Sequence, residues 1–256
     1  MKFRPCIDLH DGKVKQIVGS TLNDAQPEQL KTNFTAIHPA SWYAELYRRD
    51  DLTGGHIIKL GPGNDDAALA ALSAWPGGMQ IGGGISADNG AWWLDRGASH
   101  VIVTSAVFRN GMIDEARLRE LVQAVGPDRL VLDLSCRRRG NDYYIVTDRW
   151  QRFTQVVISE QVLAHLAKDC AEFLVHAADV EGQCQGIESG VIEKLAAWSP
   201  IPVTYAGGVR NLADLELIRS LGKGRVDATV GSALDIFGGS GMTYVDAVRF
   251  HDAEKS

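Results

Sequence analysis

Apolar residues along this chain fall into two alternating kinds of segment. Short β-branched runs at 3–9, 55–60, 78–82, 100–105, 129–135, 171–178, 202–208 and 226–232 have the length and composition of buried strands. Between them, at 38–50, 64–75, 86–97, 112–126, 159–169, 188–199, 211–222 and 243–252, apolar positions recur at helical spacing. Ser86, Asn64 and Asn211 stand where three helices should be capped, and Gly97, Gly126 and Gly222 where helices should stop. Eight strands, each followed by a helix, predict an α/β protein: one (β/α)8 barrel, a TIM barrel, as a single domain over 1–256.

The pattern repeats at nearly half the chain length. GGGI at 82–85 returns as AGGV at 206–209, an offset of 124, while Asp8 and Asp133 are 125 apart and Ser105 and Ser232 are 127 apart. Three landmarks at nearly one offset predict a twofold half-barrel repeat, strands one to four echoed by five to eight. Catalytic groups of such barrels gather at the carboxyl ends of the strands. Asp8 and Asp133 end strands one and five, which oppose each other in the ring, so two carboxylates are expected across one mouth. One can hold a proton while the other stays ionised, although each could instead cap a loop through backbone amides. Cys6 shares the Asp8 side of strand one and reads as packing beneath it.

The glycine turns supply a second ingredient, because glycine lets backbone amides at a helix start approach an anion closely. Gly83 and Gly84 with Thr104 and Ser105 form one expected phosphate site; Gly207 and Gly208 with Gly231 and Ser232 form its counterpart. Ordinary tight turns are the plainer alternative for either site alone, but the equivalent pair points to a ligand with a phosphate at each end. Two long connections, 10–37 and 136–158, are expected over the mouth, the second carrying a hairpin. Trp150 there could stack on a flat ligand ring or pack the loop against the barrel.

Composition narrows the partners. With 256 residues, 45% hydrophobic and 23% charged, the chain is neither disordered nor fibrous. A net charge of −6, with no basic block longer than Arg137–Arg139, argues against a nucleic-acid partner. No apolar run approaches membrane-spanning length, and MKFRPCID enters a strand without an apolar targeting region, so a cytoplasmic protein with no membrane partner is expected. The four cysteines form no CxxC pair, which predicts reduced thiols and no metal site. A monomer acting on a small molecule is the expectation.

The segments PCIDLHDGKVKQIVG, HIIKLGP, QIGGGI, VIVTSAVF, VLDLSCR, HAADVEG, YAGGV and VGSALDIFGG, in this order over nearly the whole chain, resemble the ProFAR isomerases of histidine biosynthesis, above all their fungal-type eukaryotic branch. The resemblance implies a cofactor-free Amadori rearrangement of an aminoaldose to an aminoketose, on a substrate with two phosphoribosyl-type arms. By position, Asp8 resembles the base that takes the C2 proton of the ribose, and Asp133 the acid that protonates the ring oxygen. Glu181 is the rival acid, and His176 stands where bacterial members carry Thr beside the reacting ribose, a plain core histidine being the alternative. Lys59 and Gln16 replace an acidic residue and an Arg common in bacterial relatives; Lys59 is expected to touch substrate or pair with Asp8 or Glu181. Trp150 matches a tryptophan that stacks on the substrate's carboxamide ring. Two rivals stay open. One is the sister barrel that performs the following cyclisation with a glutaminase, against which HAADVEG and the long first connection speak. The other is a barrel that binds phosphorylated ligands without chemistry, against which the intact carboxylates speak.

Overall fold

The computed structural model describes residues 1–18, 21 and 31–253. Eight barrel strands run β1 (Cys6–His10), β2 (Gly55–Lys59), β3 (Met79–Gly82), β4 (Val101–Val103), β5 (Leu130–Asp133), β6 (Glu172–His176), β7 (Val203–Ala206) and β8 (Val226–Thr229). Each pairs in parallel with the next. The ring closes through the amino-terminal segment. Phe3–Arg4 pairs with β8, and beyond Pro5 the chain pairs with β2 instead. Pro5 has no N–H to give a ladder, and it sits at this switch, its carbonyl accepting from His56 N at 2.9 Å. The helices α1 (Ala40–Arg49), α2 (Asp65–Ala74), α3 (Gly90–Leu94), α4 (Glu115–Val125), α5 (Glu160–Leu166), α6 (Ser189–Trp198), α7 (Leu212–Leu221) and α8 (Tyr244–Ala253) follow in turn. The (β/α)8 reading is correct.

The main core lies between strands and helices, where Leu72, Leu121, Leu195 and Ile218 are buried against Ile57, Ile81, Leu132 and Val203. The alternate strand positions fill the barrel itself. Ile58, Ile102, Val131 and Leu174 form a small apolar plug. Also buried is a polar cluster in which Glu172 accepts from Gln80 Nε2 at 3.0 Å and Thr204 Oγ1 at 2.7 Å. A filled interior leaves the ends of the strands as the place for a ligand.

The differences from expectation lie at element ends. α3 is less than half the predicted length: Ser86 caps nothing, and its N–H instead donates to Asn89 Oδ1 in the turn before Gly90. Asn64 holds the N-cap position of α2, but its side chain does not cap the helix; its Oδ1 accepts from Gly12 N at 2.8 Å and its amide donates to Gly61, so it ties two mouth turns together. Asn211 caps α7 as expected, accepting from Asp214 N. Residues 112–113, read as helix, pair with Phe108–Arg109, and Asp114 caps α4. The two long connections are built rather than loose. The first holds an antiparallel ribbon, Lys13–Ile17 with Thr32–Thr35, on the edge of β1; its residues 19–20 and 22–30 lie outside the described residues. The second is a three-stranded sheet, Cys136–Arg139, Asp142–Thr147 and Arg152–Val157, one strand more than the expected hairpin. Among the described residues, no helix is long and apolar enough to cross a membrane.

Candidate active site

Strand geometry brings the candidate residues together. Asp8 stands on β1, Asp133 is the last residue of β5, His176 the last of β6, and Glu181 lies on the turn that follows β6. Two cavities open there. A large one, about 830 Å³, is lined by Asp133 together with Lys59, Gly83, Gly84, Thr104, Ser105 and Trp150. A small one, about 30 Å³, is lined by Gly207, Gly208, Gly231 and Ser232. Asp8, His176 and Glu181 line both. The sequence-derived residues therefore divide between the strand-three/four side and the strand-seven/eight side, with three of the four candidate catalytic groups at the join.

The charges of these groups are set by one another. Asp133 Oδ1 accepts from Ser135 Oγ at 2.5 Å and Ser135 N at 2.8 Å, while Oδ2 accepts from Thr104 Oγ1 at 3.0 Å. His176 Nδ1 lies 3.8 Å from Asp133 Oδ1, an ion pair rather than a hydrogen bond, and 3.3 Å from Ser135 Oγ. Burial alone would raise the Asp133 pKa, but His176 and Ser135 outweigh it and hold the group below the usual carboxylate range. Burial would likewise strip His176 of its charge; Asp133, with Glu181 and Asp8 behind it, pushes that pKa up to about 9 instead. His56, its ring 5.9 Å away, is pushed down to about 3 by burial and by the His176 charge, against which the pull of Asp133 is too weak. One imidazole of the pair is thus charged and the other neutral.

Glu181 and Asp8 go the other way. Burial raises Glu181, His176 opposes, and the negative charge of Asp8 adds to the rise. Its Oε2 is fully enclosed with no hydrogen-bond partner among the described residues, a state that suits a carboxylic acid better than a carboxylate. Burial also raises Asp8, but His176, Gln16 and Cys6 all favour its ionised form. Both are raised on balance, whereas Asp133 is lowered, so the site holds carboxyl groups with opposed preferences for the proton, the arrangement that acid–base catalysis needs.

The glycine turns are alike in the two halves. Gly83 and Gly84 have φ of 89° and 71°, and Gly207 and Gly208 have 120° and 73°. A Cβ on Gly83 would drive into the carbonyl of Lys59 at the end of β2; one on Gly207 would stand 2.9 Å from the carbonyl of Ala177, just past β6. These close approaches need glycine whatever the ligand. Gly84 differs, since a Cβ there meets nothing within 4 Å.

One expectation changes on contact with the structure. Lys59 pairs with neither Asp8 nor Glu181: its Nζ is 2.8 Å from Asp65 Oδ1 and 4.0 Å above the Trp93 ring, because α2 and α3 both start beside the end of β2. It still lines the large cavity. Trp150 faces that cavity with its ring 5.6 Å from His176, on a turn where Asp148, Arg149 and Trp150 all take positive φ. Non-glycine residues held so are strained, and such strain gathers at ligand sites. Arg149 and Ser135 carried no signal in the sequence; the first reaches the site only through that turn, and the second only by touching Asp133 and His176.

The fold and the carboxyl groups gathered at the strand ends are those of a barrel enzyme. A family model for histidine biosynthesis proteins matches residues 2–239. A protein of Neurospora crassa is 50% identical over 253 residues, covering 98% of each chain. A protein of Saccharomyces cerevisiae is 45% identical over 259 residues, 99% of each. A protein of Medicago truncatula is 54% identical over 260 residues, all of this chain and 83% of its own. All three are named 1-(5-phosphoribosyl)-5-((5-phosphoribosylamino)methylideneamino)imidazole-4-carboxamide isomerase, the last as a chloroplastic form. The chain belongs to the histidine biosynthesis protein family, as the sequence resemblance implied.

Proposed function

We propose that this chain converts the bis-phosphorylated aminoaldose ProFAR to its aminoketose by an Amadori rearrangement at the join of the two cavities. It is an isomerase of histidine biosynthesis, as its relatives are named. The observation that carries the chemistry is that Asp8, His176 and Glu181 line both cavities, so a substrate anchored at both ends crosses them with its central sugar. One phosphate sits by Gly84 and Ser105, the other by Gly208, Gly231 and Ser232.

Glu181 gives its proton to the furanose ring oxygen. The C1–O bond breaks as the nitrogen lone pair forms a C1=N bond, and the ring opens to a Schiff base. Asp8 then takes the C2 proton, and the electron pair moves to form the enolamine. Asp8 returns its proton to C1 as the C2 hydroxyl gives its proton back to Glu181, and the aminoketose results with both groups restored. What favours Glu181 over Asp133 as the acid is that Asp133 is held ionised by His176 and Ser135, while Glu181 Oε2 is enclosed and unpartnered. Asp133 then orients His176, whose charge helps keep Asp8 ionised. Trp150 stacks on the imidazole carboxamide in the large cavity.

The described cysteines are free thiols, which suits a reducing compartment, and we place the protein in the cytoplasm as a monomer, each site being built within one chain. Incubation of ProFAR with the purified protein, followed by chromatography and mass spectrometry, should give an isomer of unchanged mass. Unaltered substrate refutes the reading. Release of an aminoimidazole phosphate on adding ammonia to the product would favour the cyclising barrel instead.

A further inference from the structure

One side chain lines the large cavity, packs against the β8 turn and holds the base. Gln16, on the ribbon strand Lys13–Ile17, is 3% exposed. Its Nε2 donates to Asp8 Oδ2 at 3.0 Å, and its Oε1 accepts from Ser232 Oγ at 3.3 Å. The same Oε1 lies where a Cβ on Gly231 would be, so the carboxamide rests against the bare backbone of the β8 turn. From the paired ribbon strand, Asn33 Nδ2 donates to Ser232 Oγ at 3.3 Å and to the Gly182 carbonyl at 2.8 Å. The remaining 30 Å³ has room for a water or two.

An anion seated on Gly231 and Ser232 competes with Gln16 for the same space and the same hydroxyl. On the other wall the backbone at Gly207 and Gly208 lies close against the carbonyls of Ala177 and Gly186. The Gln16 side chain can turn about its own bonds without breaking backbone pairing. The groups that face Asp8 are His176 on β6, Glu181 on the turn after it, Cys6 on β1, Tyr47 on α1 and Gln16. Of these, Gln16 alone also hydrogen-bonds Ser232.

We infer that Gln16 is a positioning residue that links phosphate seating to the base: a phosphate group entering against Gly231 and Ser232 draws the carboxamide away from Asp8 and frees that carboxylate to act. The inference rests on the isomerase reading for the role of Asp8. The Gln16 N–H favours the charged carboxylate, and its withdrawal leaves burial opposed by fewer partners, so Asp8 binds a proton more readily once the phosphate is in place.

The test does not depend on turnover. Wild-type and Gln16→Met protein carrying ¹³C at the Asp carboxyls, with Asp8→Asn to assign the signal, are titrated with pH in the presence and absence of inorganic phosphate. The expected result is that Gln16→Met raises the Asp8 midpoint, that phosphate raises it in the wild type, and that phosphate raises it much less in Gln16→Met, whose donor is already gone. Equal phosphate shifts in the two proteins overturn the inference, as does an Asp8 midpoint that Gln16→Met leaves in place or the absence of any phosphate response. Should Gln16→Met fail to fold, the wild type decides: the Gln16 side-chain amide and Asp8 carboxyl signals must move over one phosphate range, and an amide that stays put at saturation overturns it. With ProFAR, the acid limb of kcat/KM, which reports the free enzyme, should move to higher pH in Gln16→Met. The loss at the acid end should be on the order of tenfold, with the kcat limb unmoved. A protein without turnover refutes the isomerase reading and still leaves the carboxyl titration to judge Gln16.

Discussion

Asp133→Asn separates an acid from an anchor. The wild-type His176 pKa stands at about 9 against the ordinary histidine value of 6.5, a difference worth about 3 kcal/mol of folding free energy. Because the folded value is the higher one, that stabilisation is complete below pH 6.5 and is lost as pH rises through about 9. Asp133 is the chief source of the rise, with Glu181 and Asp8 contributing less. The substitution should therefore destabilise the protein by about 2–3 kcal/mol more at pH 6 than at pH 10. The lost bonds to Ser135 and Thr104 add a cost that does not depend on pH in this range. Urea unfolding at the two pH values reads the difference directly, and the imidazole proton resonance of His176 reads its cause: the midpoint should fall well below 9. A His176 midpoint that stays near 9, or a destabilisation equal at both pH values, would refute the ion pair and return Asp133 to consideration as a proton donor.

Glu181→Gln should lower kcat by roughly 10²–10⁴ with little change in KM, the loss typical of a missing general acid, and a variant at wild-type rate would exclude Glu181 from that role. Asp8→Asn should abolish turnover while ProFAR still binds, measured by calorimetry; retained turnover would remove it as the base. Trp150→Leu should raise KM several-fold, the loss of a stacking contact of about 1 kcal/mol, and leave kcat close to wild type. Gly84→Ala, where a Cβ meets open space at a φ of 71°, should weaken binding with modest loss of stability. Gly83→Val, which the sequence alone would suggest as the binding variant, should instead damage the fold, because its Cβ meets the Lys59 carbonyl; thermal melts of both glycine variants distinguish these outcomes.

The legible part of this protein is what a periodic rule can reach. Strand and helix periods fix the ring, and the place of Asp8 and Asp133 on strands one and five then puts both at one mouth without knowledge of any contact, whereas His176 is legible only through the family resemblance. Gly83 and Gly207 are legible for the same reason: both follow the third strand of a half, and both take positive φ. What the rule cannot reach is the partner of a side chain. Lys59 belongs to Asp65 and Trp93 because two helices start beside β2, which no spacing states. Gln16 is the sharper case. In KVKQI the alternating face toward the barrel carries Val14 and Gln16, so a polar residue sits in a buried register position that hydrophobic patterning scores as loop. A buried amide in such a place must have partners that satisfy it. Here they are the base on β1 and the serine of the β8 turn, groups from opposite ends of the chain that closure of the barrel makes neighbours. The proton preferences of Asp133 and Glu181 are equally a product of closure: the carboxylate with the clearer sequence landmark is the one held ionised, and the one beside it on the β6 turn keeps the enclosed, unpaired oxygen. Sequence position therefore locates the acids, while only the assembled ring assigns the proton among them.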